Sequence, residues 1–494
     1  LENKLKLKYN NALETEAVDI IQRVDQNTGE NVNYRETTTW HDGSVLDDEK
    51  IDGVIYKKIN DKYYKRQYEG AIQLKWFGAV GDGVTDDTEA IQKAFDFGYI
   101  NHNATFEIGH GIFNVTNTLY FPTRCGLKGS GMNESVFRMT NRTDVSTIDI
   151  REDKNAPNNI SDPSLTNNTI YTKFSDFSIF GANWNGAVNT EAYEETSCGI
   201  FVSNMVKIDF ERLTIRGFAG HGILIDKVYY IKLNNLFIEW NAISGLKVAN
   251  STSVQSVNCE FRVNGKGVIL YQTYAWSFVN PLIESNVLSF RPAYEYGQSP
   301  YDRTSIGFLA FESWGGQISG GFFEDQLISI FLHYSYNIDV NGNFICNNST
   351  WQQPPNYIPS YAIYFMGNGC HSNTIRNNSF LAYGTEVDVR MYFDVNTYGN
   401  TIEFNKKEHF DWLTQGQAWI WNEYKTNDIL ERSPKVICHE SNEQFLYGKK
   451  IPLNGMYYGS STERPAFATT GFQYLNTDTS KVEVKIGTSW IELN

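Results

Sequence analysis

Seven short segments of the 494-residue chain can be laid over one another: FSIFGAN, LTIRGFA, LFIEWNA, CEFRVNG, PLIESNV, GFFEDQL and NFICNNS. Their fourth residues form a column of Phe180, Arg216, Glu239, Arg262, Glu284, Glu324 and Cys346, at spacings of 36, 23, 23, 22, 40 and 22. Charges alternate along it until Glu284 meets Glu324, with Asp325 beside the latter. Stacked as neighbouring strands are, ~5 Å apart, two carboxylates cannot both ionise freely, and one pKa must rise. A raised carboxyl next to an ionised one is what glycosidic hydrolysis needs: a general acid and a nucleophile or base. A separation near ~5 Å would suit retention, whereas Glu239 and Glu284, two turns and roughly 9.5 Å apart, would suit inversion. The residues leave both open. Arg262 falls between Glu239 and Glu284 and would keep both ionised. That leaves Glu324 or Asp325 as the acid, Glu284 as base or nucleophile and Arg262 as an orienting cation. The competing reading is structural: alternating charges stacked at a corner form an ionic ladder, and exposed pairs are worth little each.

Other groups are weaker candidates. Asp209, Glu211 and Glu260 sit within strand-like runs, and Glu312 precedes Trp314. His221 in GHGILI reads as a turn residue rather than a base, and His333 and Trp276 have a similar standing. A lyase would have to neutralise a uronate and remove its α-proton, for which Arg216 and Arg262 could serve. No clustered aspartates of the kind that hold a lyase's calcium are visible. The chain shows no phosphate loop, no G-x-S-x-G and no H-E-x-x-H, so no metal or cofactor is expected.

The elements that must position these residues follow from the period. A basal repeat of 22–23 residues is the length of one turn of a parallel β-helix. A second strand starts shortly after each column residue, as in GILI, GLKV, GVIL and SIFL. Three turns carry long insertions at that one corner: GANWNGAVNTEAYEETSC, SNVLSFRPAYEYGQSPYDRTSI and NNSTWQQPPNYIPSY. They are rich in aromatics, with Trp184, Tyr193, Tyr294, Tyr296, Tyr301, Trp351, Tyr357 and Tyr361. Three such loops would wall an elongated cleft whose floor is the column. Trp184, Tyr294, Tyr296, Tyr301 and Trp351 would serve as sugar platforms beside Arg216 and Arg262, because sugar C–H faces stack on rings.

One helix stands apart from this β pattern. In WFGAVGDGVTDDTEAIQKAF, Asp86 can cap a helix with Glu89 at N3, a capping box. Ala90, Ile91, Ala94 and Phe95 then share one face. The stretch KWFGAVGDGVTDDTEAIQKAF, followed by GIFNV, resembles the opening of the pectate-lyase-like, polygalacturonase-like right-handed parallel β-helices. That family includes phage tailspikes and capsule depolymerases. The resemblance implies an all-β fold with an N-terminal helix plugging the open end of the coil, and structural roles for Asp82, Asp86 and Asp87. It also implies a homotrimer, in which the three insertions would alternatively pack on neighbouring subunits. The motif is specific for fold and poor for reaction.

Composition limits the partners. A net charge of -15 argues against nucleic acid, though a local basic site can still sit on an acidic protein. Aromatics make up 15 % of the chain, as in many sugar binders. The six cysteines are far apart and read as free, buried thiols. No apolar run is long enough to span a membrane, and no signal peptide opens the sequence. The start at Leu1 fits removal of an upstream piece.

Residues 1–70 read as a small separate domain, 71–407 as the β-helix, 408–450 as a C-terminal cap region and 451–494 as a β module. That last module resembles short tails of phage and bacterial surface proteins, which points to assembly or attachment to a virion. The leading expectation is a tailspike-like depolymerase, on a virion or extracellular, hydrolysing a bacterial capsular or exopolysaccharide. A polysaccharide lyase on the same scaffold, a non-catalytic glycan-binding spike and a secreted bacterial enzyme unrelated to phage are the alternatives.

Overall fold

Apolar residues one place before each column residue are what build the coil. Ile179, Ile215, Ile238, Phe261, Ile283, Phe323 and Ile345 are all buried. Because side chains alternate across a strand, the column residue itself must then point outward. The computed structural model describes residues 19–438 and 457–492, apart from 102, 141–143, 152–153, 156–170, 183–195, 287–304, 349–360, 368, 384–389, 394–396, 404–405, 408–419, 423–427, 431–435, 460–472, 477, 480 and 487. It divides into two compact units, Leu1–Ile243 and Ser244–Asn494.

The first unit begins with a four-stranded antiparallel sheet in the order Ile20–Val24, Asn31–Glu36, Lys62–Arg66, Tyr56–Ile59. Asp25 and Arg66 form a buried ion pair there. The only α-helix among the described residues, Thr88–Ile100, follows. Its capping differs from the expected box. Asp87 occupies the N-cap, but its carboxylate accepts the amides of Val80 (2.7 Å) and Gly81 (3.1 Å). Asp86 accepts the amide of Thr88 at 3.0 Å, and Asp82 those of Val84 and Thr85. All three acids are thus tied to local backbone. The helix buries Ile91, Ala94 and Phe95. Phe95 meets Phe121 edge-on at 4.8 Å, Phe121 meets Phe174 at 4.8 Å, and Phe174 meets Phe210 at 5.6 Å. This aromatic spine continues the helix face into the coil. Gly98 is required at the contact, since a Cβ there would lie 2.7 Å from the Pro122 ring.

Parallel pairing in this unit joins Thr105–Glu107, Gly126–Lys128, Tyr171–Phe180, Cys198–Arg216 and His221–Asn234 in succession. The longest of these, Cys198–Arg216, turns corners at Asn204 (φ 52°) and Arg212 (φ 50°). His221, read above as a turn residue, instead opens a strand and is fully buried.

The second unit repeats three strands per turn. Column strands Glu260–Arg262, Leu282–Glu284, Phe322–Glu324 and Phe344–Asn348 pair in parallel register. A second set, Ser244–Ala249, Lys266–Tyr271, Ile306–Phe311, Ile328–His333 and Tyr361–Met366, does the same. The third set runs Thr252–Val257, Tyr274–Val279, Trp314–Ser319, Tyr336–Asn341. Parallel pairing is found as far as Val436–Cys438. A separate four-stranded sheet spans Tyr457–Gly459 to Ser489–Glu492.

Inside the corners, buried polar side chains form ladders that satisfy the turning backbone. Asn286 Oδ1 accepts the Asn264 amide at 2.9 Å and its Nδ2 donates to the Phe261 carbonyl. Ser313 and Ser335 do the same work at the next corner, accepting the amides of Thr273 and Ser313 at 3.1 Å each. Cys125, Cys198, Cys259, Cys346 and Cys370 are buried, free thiols.

Candidate active site

In the second unit the column is in register: Arg262 stands opposite Glu284, Glu284 opposite Glu324, and Glu324 opposite Cys346. Neighbouring members are therefore one strand spacing, ~4.8 Å, apart along the backbone. The residue after each turns the corner with positive φ: Val263 (51°), Ser285 (51°) and Asp325 (58°). Asp tolerates this left-handed conformation better than a β-branched residue. The corner thus sets a second carboxylate, Asp325, beside Glu324.

Four carboxylates lie near one another here, and two of them contact Arg262. Arg262 Nε lies 3.0 Å from Glu284 Oε2 and its Nη1 4.0 Å from Glu260 Oε2. The contact with Glu284 is an ion pair rather than an aligned hydrogen bond. Glu324 and Asp325 have no cation of their own among the described ion pairs. Burial, and then the charge of Glu284, push Glu324 above its usual pKa. Burial, then Glu324 and Glu284, push Asp325 up to about 6. Asp325 Oδ1 is buried with no hydrogen-bond partner among the described residues. The neighbouring Cys346 thiol is driven up to about 12 by burial and by the same acids, so it stays a neutral wall of the site.

Several of the other sequence candidates have partners of their own. Arg216 and Glu239 belong to the first unit, paired in register and 3.4 Å apart, with Arg216 also 4.1 Å over the Phe180 ring. Asp209 accepts the Tyr171 hydroxyl at 3.0 Å. Glu211 is bound by Lys173 at 2.7 Å and by Arg212, which hold it below the usual carboxylate range. Glu312 accepts from Gln272 at 2.7 Å. Trp276 and His333 are buried in the core of the second unit. The insertion residues Trp184, Tyr193, Tyr294, Tyr296, Tyr301, Trp351 and Tyr357 lie outside the described residues, while Tyr361 opens the strand Tyr361–Met366.

One array escaped the sequence reading. Tyr274, Trp314, Tyr336, His371 and Tyr398 stack ring on ring, with centroids 4.2 to 5.4 Å apart. The first four lie ten residues before Glu284, Glu324, Cys346 and Leu381, all members of the column sheet, which is the signal that would have found them. Their faces are turned to one another, so the ladder stiffens the coil and offers ring edges, not sugar platforms.

The sequence family described as "Rhamnogalacturonase A/epimerase, pectate lyase-like" matches residues 71–286. A 65.4 kDa protein in the cps region of Klebsiella pneumoniae is 40% identical over 78 residues, 15% of this chain and 13% of that protein. A glucan 1,3-beta-glucosidase of Cochliobolus carbonum is 39% identical over 70 residues, 14% of this chain and 9% of the enzyme. These alignments thus span a small part of each relative. Among solved structures, full-length tailspike protein 2 of an Escherichia coli O157:H7 bacteriophage superposes with a TM-score of 0.57 at 14% identity. The match covers 82% of this chain and 55% of the tailspike. The fold is accordingly the pectate-lyase-like right-handed β-helix, shared with phage tailspikes.

Proposed function

We propose that this pectate-lyase-like β-helix is a tailspike-like depolymerase that cleaves a bacterial capsular or exopolysaccharide by glycosidic hydrolysis. The observation that carries the reading is the split within one carboxylate cluster. Glu284 is committed to an ion pair with Arg262, while Glu324 and Asp325 are pushed up. Asp325, titrating near 6, is the better placed acid: it is protonated in mildly acidic solution and can give its proton to the leaving glycosidic oxygen. Glu284 then acts as base or nucleophile, Arg262 orients it, and Glu324 sustains the acid through its charge. The tailspike likeness and the cps-region relative support a bacterial surface glycan and a place on a virion or outside the cell, and the homotrimer that the family resemblance implies belongs to the same reading. The terminal sheets would serve attachment.

The test is a product assay on a panel of bacterial surface polysaccharides. Hydrolysis releases reducing ends without the ultraviolet absorbance of a conjugated double bond. Appearance of that absorbance would make the protein a lyase. Binding without cleavage would make it a glycan-gripping spike.

A further inference from the structure

Two rows of side chains share the outer face of the column strands in the second unit. Glu260, Leu282, Phe322 and Phe344 stand two residues before Arg262, Glu284, Glu324 and Cys346, and both rows are in parallel register. Alternation along a strand puts residues i and i+2 on one face, roughly 6.6 Å apart. In the first row only Glu260 is charged, and Leu282, Phe322 and Phe344 are apolar and partly exposed. The Phe322 and Phe344 rings stack at 5.4 Å with their planes 6° apart, so each covers a face of the other and leaves its edge to the surface. We propose that this face takes an uncharged glycan, and that Leu282, Phe322 and Phe344 seat a methyl group of the sugar beside the acids. That methyl belongs to a 6-deoxyhexose or to an acetyl substituent. The assignment rests on the reading of the same carboxylates as a hydrolytic site and names the sugar they would meet.

Charge carries the first half. Arg262 is the one cation in the described ion pairs of these acids, and it is already engaged by Glu284 and Glu260. With one cation among four carboxylates, the face is negative even when Glu324 and Asp325 are both protonated. Lys266, the next cation along the chain, opens the second strand set beyond the corner and is buried. The Arg262 side chain is 41% exposed, so the face is open to a ligand. Like-charge repulsion there selects against a uronate or a sulfated sugar. Shape carries the second half. Phenyl rings stacked edge-out offer no broad plate for a pyranose face. They offer a narrow apolar shelf, extended by Leu282, whose dispersion contacts suit a methyl group. The buried, neutral Cys346 thiol closes the apolar side of the acids.

The test is calorimetry on the full chain with a rhamnan oligosaccharide, N-acetylchitohexaose, isomaltohexaose and hexagalacturonate. The first carries a 6-deoxy methyl and the second an acetamido methyl, so whichever binds identifies the source. Isomaltohexaose is neutral without a methyl, and hexagalacturonate is anionic; both should bind at least about tenfold more weakly. Phe344→Ser should lower the affinity for the bound glycan about tenfold, and Phe344→Leu should restore most of it. Melting curves check that both variants fold. Methyl-dependent binding without release of reducing ends would support this assignment while removing the hydrolytic reading. The proposal is overturned if neither methyl-bearing glycan binds, if isomaltohexaose or hexagalacturonate binds as tightly, or if folded Phe344→Ser binds as well as the parent.

Discussion

In the proposed hydrolysis Asp325 is the acid, and its pKa, pushed up to about 6 by burial and by Glu324 and Glu284, makes two separable predictions. If it donates the proton, kcat/KM should fall as pH rises through about 6, and Asp325→Asn should lose at least ~100-fold in kcat, the scale of removing a general acid. Asn keeps the left-handed corner that Asp325 occupies at φ 58°, so the variant should fold. The second prediction concerns stability. The carboxyl binds its proton more tightly folded than unfolded, so folding is favoured at low pH. Stability then falls as pH rises from the ordinary carboxylate range through about 6. Asp325→Asn removes that loss. It should melt higher than the parent above pH 7, by about 1 kcal/mol once solvent screening is allowed for, and match it near pH 4. Equal melting curves at both pH values would mean that the carboxyl is not strained by its surroundings.

At the scale of the strand and corner, the period of the column was legible because its inner neighbours are apolar and its own residues from Arg216 to Glu324 are charged. Ile283 and Phe323 had to be buried, which fixed Glu284 and Glu324 outside and in register. The third strand of each turn was not legible. Runs such as WGGQIS carry too few apolar residues to announce themselves, yet their Gly316 is sterically demanded. A Cβ at Gly316 would lie 2.1 Å from the Trp276 ring. Gly316→Ala should therefore force the buried indole aside and cost about 1–3 kcal/mol, read as a lower midpoint in urea. Asn286→Ala should cost a comparable amount, about 1–3 kcal/mol, because it strips the Asn264 amide and the Phe261 carbonyl of their partner. The helix was found from its acids, but its cap was misassigned. Sequence spacing could not show that the Asp87 carboxylate turns back to the amides of Val80 and Gly81.

For the whole molecule, the opening motif and the repeat made the β-helix readable, while the grouping of side chains from distant turns was readable only where the repeat is regular. Arg124, Lys128, Lys173 and Arg212 line one depression of the first unit from a turn and from strands that lack the 22–23-residue spacing, so no column revealed it. Glu239 and Arg216, which the column ranked with the second-unit acids, form an ion pair of 3.4 Å within the first unit. Assembly as a homotrimer is a further expectation at this scale, checked by light scattering of the full chain; a monomer would remove the tailspike analogy from the argument. The most direct measurement of the central claim compares the parent with Glu284→Gln, Glu324→Gln and Asp325→Asn on a polysaccharide that the parent cuts, following reducing ends at pH 5.5. The account predicts that Glu284→Gln and Asp325→Asn each fall at least ~100-fold while still binding the glycan. Cleavage at the parent's rate in all three would show that the cluster is only a ladder of charges and that the chemistry lies elsewhere.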